Sequence, residues 1–219
     1  MKKHPPINLT LFGAPFAGKT TQATKICERY GSLLMDAGHI IREEITANTP
    51  LGQEAGPFID RKEFIPTHAV IAMLKGRIAT HSHTGGFVYA GFPRSIEQVQ
   101  AADENNIIID CALHIELSSE AFTTRMEGRR TCENCVAVYH VTDNPPIQPD
   151  ICDKCSSPLI VRLEDNPASN ILRLQDYYEK TAPLINYFAK ASRLITVQSQ
   201  PRVDDTARLI FAALDKKLR

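Results

Sequence analysis

Gly13-Ala14-Pro15-Phe16-Ala17-Gly18-Lys19-Thr20 stands where one periodicity stops and another begins. Before it, Ile7 to Phe12 places apolar residues at 7, 9 and 11, the period-two pattern of a strand. After it, Lys19 to Tyr30 contains neither glycine nor proline and reads as a helix. Eight residues of this pattern between a strand and a helix are the arrangement of a phosphate-binding P-loop. Glycines let the backbone curl so that successive N–H groups point inward at phosphate oxygens, and the helix N-terminus adds a favourable dipole. Lys19 contributes a point charge to the terminal phosphates. Nucleotide binding follows from this stretch, while the reaction stays open.

Working outward, short apolar strands recur at Leu33 to Met35, Phe87 to Ala90, Leu113 to Leu117 and Leu194 to Val197, with helical stretches between them. Five strands alternating with helices argue for an α/β fold, a parallel sheet flanked by helices on both faces. The clearest further helices are Pro66 to Thr80, Ser119 to Gly128, Ala168 to Ala191 and Asp204 to Leu218, the third bent near Pro183 because proline lacks a backbone donor. Residues 36–65 are mostly polar and helical with breaks at Pro50, Gly52, Gly56 and Pro57, and residues 128–165 are rich in turns. Both are read as insertions in one domain spanning 1–219.

Charge and hydropathy narrow the function. The 219 residues include 25 Lys and Arg and 25 Asp and Glu, so no net positive charge favours a nucleic acid or an anionic membrane. The longest apolar runs fall well short of the ~18 residues of a membrane span. The basic start Met1-Lys2-Lys3-His4-Pro5-Pro6 leads into Ile7-Asn8-Leu9-Thr10 rather than a signal-peptide core, and a cytoplasmic protein is expected.

Four of the six cysteines form two Cys-x-x-Cys pairs, Cys132 with Cys135 and Cys152 with Cys155, sixteen residues apart. This is the spacing of a structural zinc site, in which each tight turn delivers two thiolates to one tetrahedron. Four protein ligands leave no open position, so the metal is expected to hold a small segment together rather than do chemistry. Cys27 and Cys111 read as small core residues, and His140 is not needed as a ligand.

With these motifs in hand, the chain resembles the adenylate kinases. The run Gly13 to Thr20 with Thr21, Gln22 and Ala23 is similar to their P-loop, and Gly91-Phe92-Pro93-Arg94-Ser95 with Gln98 is similar to their monophosphate-binding motif. Gly128-Arg129-Arg130 before the first cysteine pair, Arg162 with Glu164-Asp165 after the second, and Arg173 ahead of Thr181-Ala182-Pro183-Leu184-Ile185 match in family order. The resemblance implies a P-loop NTPase fold with a helical monophosphate-binding insertion at 36–65 and a zinc-containing lid at 128–165. It implies transfer of the ATP γ-phosphoryl group to AMP, with Mg²⁺ carried by the ATP, in a monomer whose lids have room to close. It implies that residues 13–21 hold ATP, that Arg42 and Arg94 hold the AMP phosphate beside Ala37 and Gly91, and that Gln98 meets the AMP base. Arg125 would stack on the ATP base, while Arg129, Arg162 and Arg173 converge with Lys19 on the transferred group. The chemistry agrees, since phosphoryl transfer spreads charge over oxygens and needs positioning and a cage of cations. Arginine suits that cage because its planar fork pairs oxygens bidentately and keeps its charge.

Several positions depart from the family pattern. Ala90 stands where an acidic residue normally helps to hold the Mg²⁺ water shell, and Thr20, which replaces a glycine, offers a hydroxyl in partial substitution. Phe16 fills a P-loop position that is usually small. The family's Ser-Thr-Gly-Asp is Asp36-Ala37-Gly38-His39, which removes a hydroxyl at Ala37 and leaves His39 as an exposed polar substitution. Thr67 replaces an acidic residue at a helix start, where it is expected to cap. These losses set a competing reading, a nucleotide-binding protein with little kinase activity. A zinc-ribbon nucleic-acid binder is the more distant alternative, opposed by neutral charge and 7% aromatic residues.

Overall fold

The computed structural model describes residues 5–61, 63–81, 85–135, 137–161 and 165–218, so Arg162 and Glu164 lie outside the described residues. Five parallel strands form one sheet in the order β2-β3-β1-β4-β8: β1 (Leu9–Phe12), β2 (Leu33–Asp36), β3 (Phe87–Ala90), β4 (Cys111–Glu116) and β8 (Leu194–Gln198). β1 lies at the centre and all four of its residues are buried, as expected where helices cover both faces.

The period of two along each strand sorts side chains between two cores. Leu9, Leu11, Val88, Leu113 and Ile115 pack with Ala23, Ile26 and Tyr30 of α1 (Lys19–Tyr30) and with Ile210 and Leu214 of α9 (Val203–Lys217). Phe12, Met35, Tyr89 and Ala112 face the other way. There they meet α2 (Ala37–Thr46), α4 (Thr67–Thr80), α5 (Ile96–Glu104) and α8 (Pro183–Lys190), with α3 (Pro50–Asp60) closing the same side through Ala55. α2 and α3 fall within residues 36–65, and α5 is a helix that the sequence reading did not single out. Among the described residues no helix is long and apolar enough to cross a membrane.

α6 (Ser119–Gly128) leads into a second, antiparallel sheet of order β6-β5-β7, made of β5 (Arg129–Cys132), β6 (Val138–His140) and β7 (Leu159–Ile160). Its core is small: Tyr139 and Leu159 packed with Cys132 and Cys152.

Three expectations are corrected. The helix expected over Ala168 to Ala191 is two helices, α7 (Pro167–Asp176) and α8, joined by a π-helical turn at Tyr177–Thr181. Pro183 has no N–H to continue the ladder and opens α8 at its first position, while the Thr181 hydroxyl donates to the Arg94 carbonyl at 2.9 Å. Thr67 does not cap α4: Pro66 holds the N-cap position and no side chain caps the helix, because Thr67 already lies in the first turn. Arg125 and Arg129, four residues apart and so expected on one helical face, do not share it, since α6 ends at Gly128 and Arg129 is extended, with ψ 133°.

Candidate active site

The P-loop closes over the carboxyl end of β1 as its sequence requires. Gly13 passes so near β4 that a Cβ there would lie 2.3 Å from the Ile115 carbonyl, and Gly18 caps α1 from the left-handed region at φ 84°. Lys19 folds back over the loop, its Nζ donating to the carbonyls of Gly13 and Ala14 at 3.0 and 2.8 Å. Burial, together with the charges of Arg94, Arg173 and Arg129, lowers the Lys19 pKa to about 7. Three arginines distant in sequence therefore act on the P-loop lysine, and this joint field marks the centre of the site.

Arg94 follows β3 and a cis Phe92–Pro93 peptide, with its Nε donating to the Gly91 carbonyl at 3.0 Å. Its backbone N–H donates to Gln98 Oε1 at 2.7 Å, which fixes the buried Gln98 amide, and Ser95 caps α5 by accepting from the Gln98 N–H. Arg94 stands in the open mouth of the site, yet crowding by protein and the nearby Arg42 charge lower its pKa, offset in part by Asp36 and Asp176. Ala37 is buried at the start of α2, and Arg42 is exposed one turn further along it.

Arg129 and Arg173 meet at Asp165. Arg129 Nε donates to Asp165 Oδ2 at 2.7 Å and its Nη2 to Oδ1, and Arg173 Nη1 reaches the same Oδ1 at 3.3 Å. The Asp165 side chain is only 1% exposed, so this carboxylate is spent on holding the pair. Both guanidiniums also lie over the Phe16 ring, at 4.3 Å for Arg129 and 5.7 Å for Arg173. Phe16 packs edge-on against Phe122 of α6 at 5.3 Å. Its bulk is accommodated by a left-handed backbone, φ 65°, and its ring forms a platform between the P-loop and the arginines. Arg125 is pinned from α6 to the backbone, donating to the Phe16 and Gln200 carbonyls at 3.1 and 2.6 Å.

Sequence reasoning named Lys19, Arg94, Arg125, Arg129 and Arg173, but not the roles of Asp165 or Asp36. Thr20 opens α1 beside Thr21, and its hydroxyl donates to Asp36 Oδ2 at 3.1 Å. The available signal was a hydroxyl directly after the P-loop lysine together with an acidic residue closing the next strand.

The four cysteine sulfurs lie within 4.8 Å of one another. Cys132 and Cys155 are 3.4 Å apart and Cys135 and Cys152 3.5 Å, near the roughly 3.8 Å edge of a zinc–thiolate tetrahedron. The Ser157 hydroxyl and backbone lower the Cys155 thiol to about 6, while Cys135, despite a backbone hydrogen bond at Ala137, is pushed up to about 12 by desolvation and the neighbouring thiols. This donor set fits zinc. His140 is occupied elsewhere, with Nε2 3.2 Å from the Thr124 carbonyl and Nδ1 accepting from the Asp143 N–H, so it ties β6 to α6. Cys111 is core, and Cys27 packs against it.

Comparison with known proteins agrees with this geometry. The family model described as "Adenylate kinase" matches residues 11–193. An adenylate kinase of Ruminiclostridium cellulolyticum is 39% identical over 212 residues, covering 95% of this chain and 99% of the relative. One of Acetivibrio thermocellus is 39% identical over 212 residues, covering 95% and 98%. One of Methanosarcina barkeri is 36% identical over 214 residues, covering 96% and 99%.

Proposed function

Because this chain belongs to the adenylate kinase family and is a nucleoside monophosphate kinase, we propose that it transfers the γ-phosphoryl group of ATP to AMP, giving two ADP. The observation that carries the reading is the gathering of Arg129 and Arg173 on Asp165 and over the Phe16 ring of the same P-loop that holds Lys19. A phosphate chain lying along the P-loop meets Lys19 first, and the arginines supply the charge that the equatorial oxygens need in the transition state. Arg129 and Arg173 bind the transferred group, with Arg162 completing the set. Arg42 and Arg94 bind the acceptor phosphate. Gln98 keeps its NH₂ for an adenine edge because its oxygen is held by the Arg94 backbone. Arg125, on the ATP side, lies under the adenine.

Residues 36–65 form the monophosphate-binding segment, and residues 128–165 the lid, with zinc held by Cys132, Cys135, Cys152 and Cys155. Closing both segments excludes water, which would otherwise compete with AMP as acceptor. Mg²⁺ arriving with ATP would supply charge neutralisation, and the hydroxyl of Thr20 is a hard oxygen donor of this chain that would hold it. ATP and AMP are the partners, and a monomer leaves the two segments free to move.

The test is a matrix of ATP against AMP, CMP, UMP and GMP with direct detection of products. ADP from ATP and AMP is expected, abolished in Lys19→Ala. Ala37 lacks a hydroxyl, so discrimination among monophosphates should fall by about 0.5–1.5 kcal/mol, one hydrogen bond's worth. CMP or UMP proving much the faster acceptor overturns the assignment of Gln98, and no product with any monophosphate overturns the reaction.

A further inference from the structure

We propose that Asp36, acting through Thr20, is the carboxylate that positions the divalent cation of the ATP complex in this chain, in place of the acidic side chain missing at Ala90. The inference rests on the kinase reading above and assigns a residue that it leaves without a role.

The placement follows from the sheet. Asp36 ends β2 and Ala90 ends β3, and the two are register partners in a parallel pair. Partners on neighbouring parallel strands lie about 4.8 Å apart and project to the same face. That face is fixed by alternation: Leu34 and Val88, two residues earlier, pack with the α1 core, and so does Ala90 itself. A carboxylate at 36 therefore occupies the same edge and the same face as one at 90, one strand over. α1 begins on that side, and its second residue, Thr20, makes the 3.1 Å contact with Asp36 Oδ2.

The polarity of that contact decides what Thr20 can do. An ionised carboxylate only accepts, so the Thr20 proton points at Asp36 and the hydroxyl lone pairs are turned away from it. Thr20 is exposed beside Lys19, so those lone pairs are open to a cation arriving with the phosphates. The other Asp36 oxygen accepts from the His39 N–H at 2.9 Å and caps α2, which holds the carboxylate in a single orientation. Asp36 also acts electrostatically on both Lys19 and Arg94, which places it between the donor and acceptor ends of the site. Of the other carboxylates near the arginines among the described residues, Asp165 is taken by Arg129 and Arg173, and Asp176 pairs with Lys180. A P-loop hydroxyl backed by an aspartate at the end of β2 is a set of hard oxygen donors suited to Mg²⁺, which keeps most of its water and needs that water oriented.

The experiment measures binding of a non-hydrolysable ATP analogue with Mg²⁺ and with chelator, and takes the ratio of the two affinities. Asp36→Ser keeps a cap on α2, so thermal stability without nucleotide should hold while the Mg²⁺ enhancement falls about tenfold or more. Thr20→Val, at an exposed position, should give the same loss, and the double variant should be no worse than either single one. Ala90→Asp should restore the enhancement in the Asp36→Ser background, yet fail to raise it in the original chain, where two carboxylates would crowd one place. An unchanged enhancement in Asp36→Ser or in Thr20→Val overturns the proposal, as does an equal loss of affinity with and without Mg²⁺. Should Asp36→Ser not fold, Thr20→Val decides. Absence of ADP formation in the original chain would overturn the kinase reading instead, because analogue binding is measured independently of turnover.

Discussion

Phe16 carries its ring on a left-handed backbone, φ 65°, so Phe16→Ala and Phe16→Gly remove the same ring while only the second relieves the backbone. The ring is 8% exposed, meets Phe122 at 5.3 Å and supports Arg129 at 4.3 Å. Truncating a core phenylalanine costs about 3–5 kcal/mol. A ring at the mouth of a cleft is less enclosed, so a loss of about 2–4 kcal/mol is expected for Phe16→Ala, including about 1 from the pairing with Phe122. The left-handed conformation costs a residue with a Cβ about 1–2 kcal/mol. Glycine recovers this but gives up about 0.4–1 kcal/mol through its freer unfolded chain, leaving Phe16→Gly more stable than Phe16→Ala by about 0.8 kcal/mol at the middle of the two ranges. Urea unfolding of the nucleotide-free proteins, with midpoints compared at equal slopes, reads the difference directly. The alanine variant matching or exceeding the glycine variant would refute the strain argument. Wild-type stability in both would refute the packing argument. Loss of the shared platform should also lower turnover in both variants, because Arg129 and Arg173 then lose the ring that supports both.

Lys19, held at about 7 against an ordinary 10.5, is largely neutral at pH 8 in the free protein. Bound phosphates restore its charge, so calorimetry in buffers of different ionisation heat should show proton uptake with ATP at pH 8, and affinity should weaken from pH 7 to 9. For the same reason the unfolded chain binds more protons between about pH 7 and 10.5, so this group's contribution to stability rises with pH over that window. Asp165→Asn leaves two guanidiniums without their carboxylate and should cost roughly 3 kcal/mol in unfolding experiments. Metal analysis of protein prepared without chelator should return one zinc per chain, and Cys132→Ser should lower the thermal stability of the three-stranded sheet while leaving ATP binding at the P-loop intact.

Much of this molecule is local, and the local part is legible in the chain. Lys19 to Tyr30 is a helix because it lacks breakers between two glycines, and the P-loop before it follows from the steric freedom of Gly13 and Gly18. The cysteine pairs declare their cluster through turn geometry alone, and the alternation of Ile7, Leu9 and Leu11 announces a strand. What the chain does not declare is where separate local pieces meet. Whether the ring of Phe16 would hinder the loop or cover it depended on Arg129, Arg173 and Phe122, more than 100 residues away. Ala90 read by itself is a lost carboxylate; only the register of β2 against β3 shows that Asp36 stands beside it, and only the packing of α1 on that face brings Thr20 within a hydrogen bond. Side chains with no periodicity between them share a place because parallel strands must align their ends, and that alignment is a property of the assembled sheet rather than of any segment in it.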